Sequence, residues 1–103
     1  MLRVYGQSVE MVRALRPVIE VIGRKDPDLG RQLRRCAASV VLNINEGAYS
    51  RKGNKGARFS DALGSAKETV ACLDVAEALG YLAIDLGLRE RLSSICAVLY
   101  KLA

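Results

Sequence analysis

The 103-residue sequence has no histidine and no tryptophan, and it has only one phenylalanine and two prolines. Without histidine the chain lacks the commonest general base and the commonest transition-metal ligand, which excludes Ser-His-Asp and Cys-His catalysis within one chain. Because aromatic residues are few, the core must be built from leucine, valine, isoleucine and alanine, which suits packed helices. The near absence of alternating β-branched residues argues against an all-β fold.

The three cysteines, Cys36, Cys72 and Cys96, are odd in number and form no CxxC pair, so we expect neither a zinc site nor a disulfide framework. Free thiols in helical apolar stripes behave as small hydrophobes and fit a reducing cytoplasm. No stretch approaches the roughly 18 apolar residues of a membrane span, and charges interrupt the N-terminal apolar run. We therefore expect a cytoplasmic protein without membrane contact, metal or cofactor.

Apolar residues recur at spacings of three and four along four segments, which predicts four helices. The predicted helices cover residues 2–24, 27–49, 55–79 and 85–102. The length suits a single domain over residues 1–103. Four helices with short connections predict an all-α fold, an antiparallel up-down-up-down four-helix bundle.

Individual residues predict where these helices begin and end. Asp26 is a good N-cap, Pro27 fits the first helical position, and Asp28 complements the positive helix end. Gly80 suits the left-handed residue that follows a helix. Pro17 lies inside the first apolar seam, and because the seam continues on both sides of it we expect one kinked helix.

The third predicted helix is apolar on two sides, which means that it needs two partners. Its first face holds Phe59, Leu63, Ala66, Val70 and Leu73, and its second holds Cys72, Val75 and Leu79 together with Gly64 and Glu68. The bundle supplies one partner, and a neighbouring subunit could supply the other. The sequence does not decide which face is the core.

Positive charge is concentrated between residues 31 and 59, which hold seven basic residues against one acid, Glu46, while the whole chain has a net charge of +5. The basic residues are Arg31, Arg34, Arg35, Arg51, Lys52, Lys55 and Arg58. The last four surround a loop flanked by Tyr49 and Phe59, and such a mixture of cations and aromatic rings is typical of nucleic-acid binding. The alternative is a solvated loop whose cations pair with Asp61 and other acids.

A polar stripe of Ser39, Asn43, Glu46 and Ser50 follows the second helix, where asparagine and serine are poor helix formers. We interpret it as a structural hydrogen-bond network between helices. Glu68 lies among small residues, which suggests a close helix crossing with Arg34 or Arg35 as its partner. A rival interpretation makes Glu46 and Glu68 an acid/base pair or a divalent-metal site.

These motifs resemble a known bacterial family. The pattern S-x3-N-I-x-E-G from Ser39 to Gly47 is followed by the basic loop, and G-S-x2-E from Gly64 to Glu68 follows that. The combination resembles the four helix bundle protein family. That family includes proteins encoded in intervening sequences of 23S rRNA genes, also labelled S23 ribosomal proteins, and the accessory variability determinant of diversity-generating retroelements.

The resemblance implies a small homo-oligomer, in several members a pentamer, with a basic surface. It also implies a nucleic-acid or reverse transcriptase partner. It groups Asn43, Glu46, Ser65 and Glu68 as structural or interface residues, with no catalytic residue. We therefore predict a non-enzymatic homo-oligomer whose basic surface binds RNA or DNA, as an accessory factor to rRNA or a reverse transcriptase. The alternative is a structural scaffold that recognises an acidic protein partner and has no nucleic-acid role.

Overall fold

A computed structural model describes residues 2–50 and 53–103, and within these ranges the chain forms four α-helices. They are α1 (Arg3–Lys25), α2 (Pro27–Tyr49), α3 (Lys55–Ala78) and α4 (Leu86–Leu102). Every predicted helix is present, and no bound differs from the predicted one by more than one residue. The first helix continues through Pro17 without a break.

Individual residues cap the helices at the points where the chain turns back. The Asp26 carboxylate accepts the Leu29 N–H at 3.1 Å, and Pro27 begins α2 where no backbone donor is needed. Asp85 caps α4 by accepting the Leu88 N–H, also at 3.1 Å. Gly80 has a φ of 77°, which lets the chain turn away from the end of α3. The predicted caps at Asp26, Pro27 and Gly80 are thus confirmed.

Consecutive helices run in opposite directions. Ser39 of α2 bonds to Ser65 of α3, while Cys36, earlier in α2, bonds to Thr69, later in α3. Each helix packs against the one before it, and α4 packs against α1. The architecture is therefore the predicted antiparallel four-helix bundle.

The core is aliphatic, with one aromatic ring at the loop end. Each helix contributes residues at three- and four-residue spacing whose side chains are almost completely buried. They include Met11, Leu15 and Ile22 of α1, Leu33, Val40 and Ile44 of α2, Phe59 and Leu73 of α3, and Leu92, Ile95 and Leu99 of α4. Burying side chains of this size stabilises the fold by roughly 1.5–3 kcal/mol each.

The structure decides which face of α3 is the core. Phe59, Ala62, Ala66, Thr69, Leu73 and Ala76 point inward. Val75 and Leu79, on the second face, are 45% and 57% exposed. The grouping of Cys72 with that second face was wrong, because its thiol lies buried beside Cys36. Burial, and then the neighbouring Cys36, raise the pKa of Cys72 to about 12.

Arg89 of α4 ties the end of α3 to the loop that follows it. Its guanidinium donates to Asp74 at 2.8 Å and to Glu77 at 2.6 Å. Glu77 also accepts the Ile84 N–H, and this bond, with Arg89 second, lowers the pKa of Glu77. The stabilisation from Glu77 is therefore complete above the ordinary glutamate pKa and is lost as pH falls through the lowered value.

Across the described residues, no helix has both the length and the apolar character that crossing a membrane requires.

Candidate nucleic-acid interface

One side of α2 faces away from the core and carries charge, an aromatic ring and an apolar side chain. Positions 7, 11 and 14 residues after Arg35 point within about 40° of it on a helix. These positions are Leu42, Glu46 and Tyr49, and Leu42 and Tyr49 are 62% and 71% exposed. We call the side defined by Arg35, Leu42, Glu46 and Tyr49 the outer α2 face.

The three arginines in the first half of α2 line two pockets, and Arg31 belongs to both. Arg31 and Arg35 line the same pocket on the α3 side of the helix. Arg34 points about 100° away from Arg35 and lies beside Ile19 of α1. Arg31 also forms an exposed ion pair with Asp28. Arg35 is therefore the arginine of this group that continues the outer α2 face towards α3.

At the other end of the outer α2 face, cations of α3 approach the last turns of α2. Arg58 pairs with Glu46, with Nε 3.1 Å from Oε2, and both side chains are about half exposed. A surface ion pair of this kind is worth at most about 1 kcal/mol, so a phosphate can compete for Arg58. Lys55, the first residue of α3, is exposed. Arg51 and Lys52 lie outside the described residues.

The beginning of α3 adds positive potential beside these cations. No side chain among the described residues caps it, and its first turn has no acidic residue. The first N–H groups of a helix lack intrahelical partners and carry the positive end of its dipole, so anions are favoured there. Sequence reasoning missed this feature, although the absence of Asp or Glu between Lys55 and Arg58 was a readable signal.

Of the two aromatic residues beside the loop, one is available to a ligand. The Tyr49 ring is 71% exposed, while Phe59 is 2% exposed and its ring packs against Gly47. Phe59 is therefore a core residue and cannot contact a ligand of the loop, whereas the Tyr49 ring is exposed and its binding role stays a prediction.

Part of the predicted polar group forms a hydrogen-bonded cluster between α2 and α3. The Ser39 and Ser65 hydroxyls are 2.8 Å apart, and the Asn43 amide donates to both the hydroxyl and the carbonyl oxygen of Ser39, each at 3.0 Å. Glu46 lies outside this cluster and forms an ion pair with Arg58, an arginine being one of the partners expected for it. Within the described ranges the Glu68 side chain has no hydrogen bond or ion pair. The Ser50 hydroxyl donates to the Glu46 carbonyl at 2.6 Å.

The same part of the groove between α2 and α3 opens into a pocket of about 610 Å³. Arg31, Arg35, Ser39, Ser65 and Glu68 are among the residues that line it, together with Asp28, Gln32 and Cys36. Arg35 and Glu68 face the same space, yet no ion pair within 4 Å joins them in the described part of the chain. The expected pairing of Glu68 with Arg35 or Arg34 is thus not formed.

Glu46 and Glu68, which a rival interpretation makes an acid/base pair, lie far apart along the axis of the bundle. Glu46 contacts Arg58, which is ten residues before Glu68 on α3, or about 15 Å along the helix. Carboxylate pairs that act together are roughly 5–9.5 Å apart. Among the described residues there is also no group of three or more potential metal ligands. The geometry therefore does not bring Glu46 and Glu68 into one catalytic or metal site.

Comparison with known protein families identifies a match over nearly the whole chain. The family model described as 23S rRNA-intervening sequence protein matches residues 1–101. No curated protein and no solved structure matches the chain. The matched region contains α1 to α3, all of α4 but its last residue, the basic stretch, and the hydrogen-bonded cluster of Ser39, Asn43 and Ser65, which we call the serine cluster. It agrees with the resemblance found in the motifs. The chain belongs to the family of 23S rRNA-intervening sequence proteins.

Proposed function

We propose that this chain is a non-enzymatic, homo-oligomeric bundle that binds single-stranded nucleic acid along the outer α2 face and the adjoining loop. The observation that carries the proposal is the arrangement of that face. Arg35 lies towards one end of it, and Tyr49, Arg58 and Lys55 lie at the other, beside the uncapped start of α3. We take RNA as the ligand to test, because the family description names an rRNA.

Each of these parts matches a known mode of binding. Arginine and lysine contact phosphates and release counterions, and an exposed tyrosine stacks on an unpaired base. Arg35 and Glu46 are separated by about 16 Å along α2, so one strand can contact both ends of the face. Sites on single strands cover about 4–16 nucleotides per domain, and a face of this length fits that range.

Charge reversal in the loop provides the experiment for this proposal. We expect replacement of Arg51, Lys52 and Lys55 by glutamate to weaken binding of a single-stranded RNA by about 100-fold or more at low salt, because each lost phosphate contact removes counterion release. Fluorescence anisotropy with a labelled oligonucleotide measures the dissociation constants.

The matched control reverses Arg16, Arg24 and Arg91, which are exposed and lie away from the loop. Each replacement of a basic residue by glutamate lowers the net charge by two. Three such replacements therefore lower it from +5 to −1 in both variants. At 0.1 M salt, charges more than about 10 Å from the ligand are screened, so the control should lose less than about tenfold. Equal losses in the two variants would show that net charge, and not the loop, governs binding.

We also propose that copies of the chain assemble, as a pentamer by the resemblance. Val75 and Leu79, on the second face of α3, are large apolar side chains that the bundle leaves exposed. Contact with another copy would remove them from water, which favours association. Light scattering should give a mass of several chains of 11.2 kDa each. A mass of one chain at every concentration tested would rule out the assembly.

A second candidate function is a scaffold for an acidic protein partner, such as an acidic segment of the reverse transcriptase that the resemblance proposes. A groove of about 490 Å³ supports it. Three apolar residues, Val9, Val12 and Ile19, line this groove together with three arginines and one acid, Arg13, Arg16, Arg34 and Glu20. An acidic amphipathic helix has matching chemistry. This function is favoured if the protein binds such a peptide and binds no RNA at low salt.

A further inference from the structure

The pocket between α2 and α3 has no role in the nucleic-acid binding proposed above. Its volume of about 610 Å³ lies within the range of roughly 300–1,000 Å³ typical of small-ligand sites. It opens beside Arg35, at the edge of the outer α2 face. A nucleotide of a strand bound along that face can therefore turn its base into the pocket.

The serine cluster at one side of the pocket has a hydrogen-bond donor to spare. Ser39 and Ser65 share one hydrogen bond, which uses one of their two hydroxyl hydrogens. Asn43 donates to Ser39 and so supplies no acceptor there. Within the described part of the chain, the second hydroxyl hydrogen has no acceptor. The pocket thus offers a hydroxyl donor to an oxygen or ring nitrogen of a ligand.

Next to this donor, three residues after Ser65 on α3, Glu68 adds a pair of acceptors to the pocket lining. The Glu68 side chain is exposed, lines the pocket, and makes no hydrogen bond or ion pair to another described residue. Its negative charge contributes to the raised pKa of the buried Cys72 thiol, after burial and Cys36. An ionised carboxylate has two oxygens and no proton, so it binds best to a group with two adjacent N–H donors.

We propose that this pocket binds a guanine base of single-stranded RNA, with Glu68 accepting from guanine N1–H and N2–H. The proposal rests on the nucleic-acid function proposed above. The free serine hydroxyl donates to guanine O6, next to N1, and Arg35 holds the adjoining phosphate or stacks on the base. Unpaired bases in RNA complexes are commonly bound in this way, through their Watson–Crick edges and on arginine planes.

The arrangement discriminates among the four bases. Guanine alone has two parallel N–H donors beside a carbonyl oxygen on its Watson–Crick edge. Adenine and cytosine present an acceptor next to their amino group, and that acceptor would face the Glu68 carboxylate. Uracil has a single N–H on this edge. A bidentate side-chain contact of this kind discriminates between bases, so a measurable preference for guanine follows.

The test compares oligouridine strands of about ten nucleotides, a length within the usual site size, that differ only in one central base. Guanosine, inosine and adenosine occupy the central position in turn, and inosine keeps N1–H but lacks the N2 amine. By anisotropy we expect the guanosine strand to bind about tenfold more tightly than the adenosine strand, with inosine between them. Equal binding of the three strands would overturn the guanine site and leave the nucleic-acid function standing. No binding of any strand at low salt would overturn both.

Glu68→Gln tests the residue directly, and Glu90→Gln, on the exposed surface of α4, is the matched control with the same change of charge. We expect Glu68→Gln to reduce the preference for guanosine to within about twofold, since one of the two acceptors becomes a donor. Glu90→Gln should keep the full preference. If Glu68→Gln instead changes the mass in light scattering and weakens all strands equally, Glu68 belongs to a contact between copies and the guanine site is wrong.

Discussion

Replacing Phe59 with alanine is expected to lower the free energy of unfolding by about 3–5 kcal/mol. Phe59 is 2% exposed and is the one aromatic ring among the fully buried residues that the structure describes. It lies where α3 approaches the last turns of α2, and its ring atoms occupy the space beside Gly47. Removing the ring leaves a cavity that small neighbours cannot fill. Since small domains are stable by about 5–15 kcal/mol, this loss is a large part of the total.

Urea unfolding followed by circular dichroism measures this loss, and Tyr49→Ala is the control. Tyr49 is also aromatic and close to the same loop, but it is 71% exposed. We expect Tyr49→Ala to change stability by less than about 0.5 kcal/mol, as surface substitutions usually do. The same variant should weaken RNA binding by the roughly 1–3 kcal/mol of one stacked base. Similar stability losses for the two variants would contradict the assignment of Phe59 to the core and Tyr49 to the surface.

Replacing Gly30 with alanine is expected to destabilise the bundle by about 1–3 kcal/mol, although alanine is the better helix former. A Cβ at this position would lie 2.7 Å from the Cα of Gly23 and 3.1 Å from its nitrogen. The atoms it meets are backbone atoms of α1, so a side-chain rotation cannot relieve the contact. The α1 and α2 helices would have to move apart along their whole crossing.

Gly6→Ala is the matched control, because Gly6 is also helical and a Cβ there would meet nothing within 4 Å. With space available, alanine in a helix is more stable than glycine by roughly 0.5–1 kcal/mol. Thermal or urea unfolding should therefore show opposite signs for the two substitutions. A stabilising Gly30→Ala would mean that α1 and α2 do not cross as closely as the structure has them.

The helices could be predicted from the sequence because their signals are local. Asp26 followed by Pro27 can begin a helix and cannot continue one, and Gly80 suits a backbone conformation that other residues avoid. Apolar residues spaced three and four apart then predicted which side of each helix is buried. Short connections between four such segments leave few ways to bury them other than an antiparallel bundle.

Features that depend on two helices at once could not be predicted. Phe59 and Tyr49 are both aromatic and close in sequence, and only the packing against Gly47 separates their roles. The Gly23–Gly30 contact, likewise, joins two glycines that carry no periodic signal. On α3 both faces are apolar, so the core face depends on where α2 and α4 lie.

In the candidate site, too, local features could be predicted from the sequence, and features that depend on two helices could not. Composition located the excess of positive charge, but the angle between Arg34 and Arg35 on α2 decides which arginine reaches α3. The partner of Glu46 is Arg58, across the helix pair, and that choice depends on the register of α2 against α3. The pocket beside Glu68 is a property of the groove and has no counterpart in a single helix.

The most direct test of the account is the salt dependence of RNA affinity for the unmodified protein. Binding through phosphate contacts predicts a linear fall of log K with log salt, with a slope of about −0.7 per contact on a single strand. Four or five contacts along the outer α2 face and the loop give a slope of roughly −3. A slope close to zero, or no binding at low salt, would contradict the account.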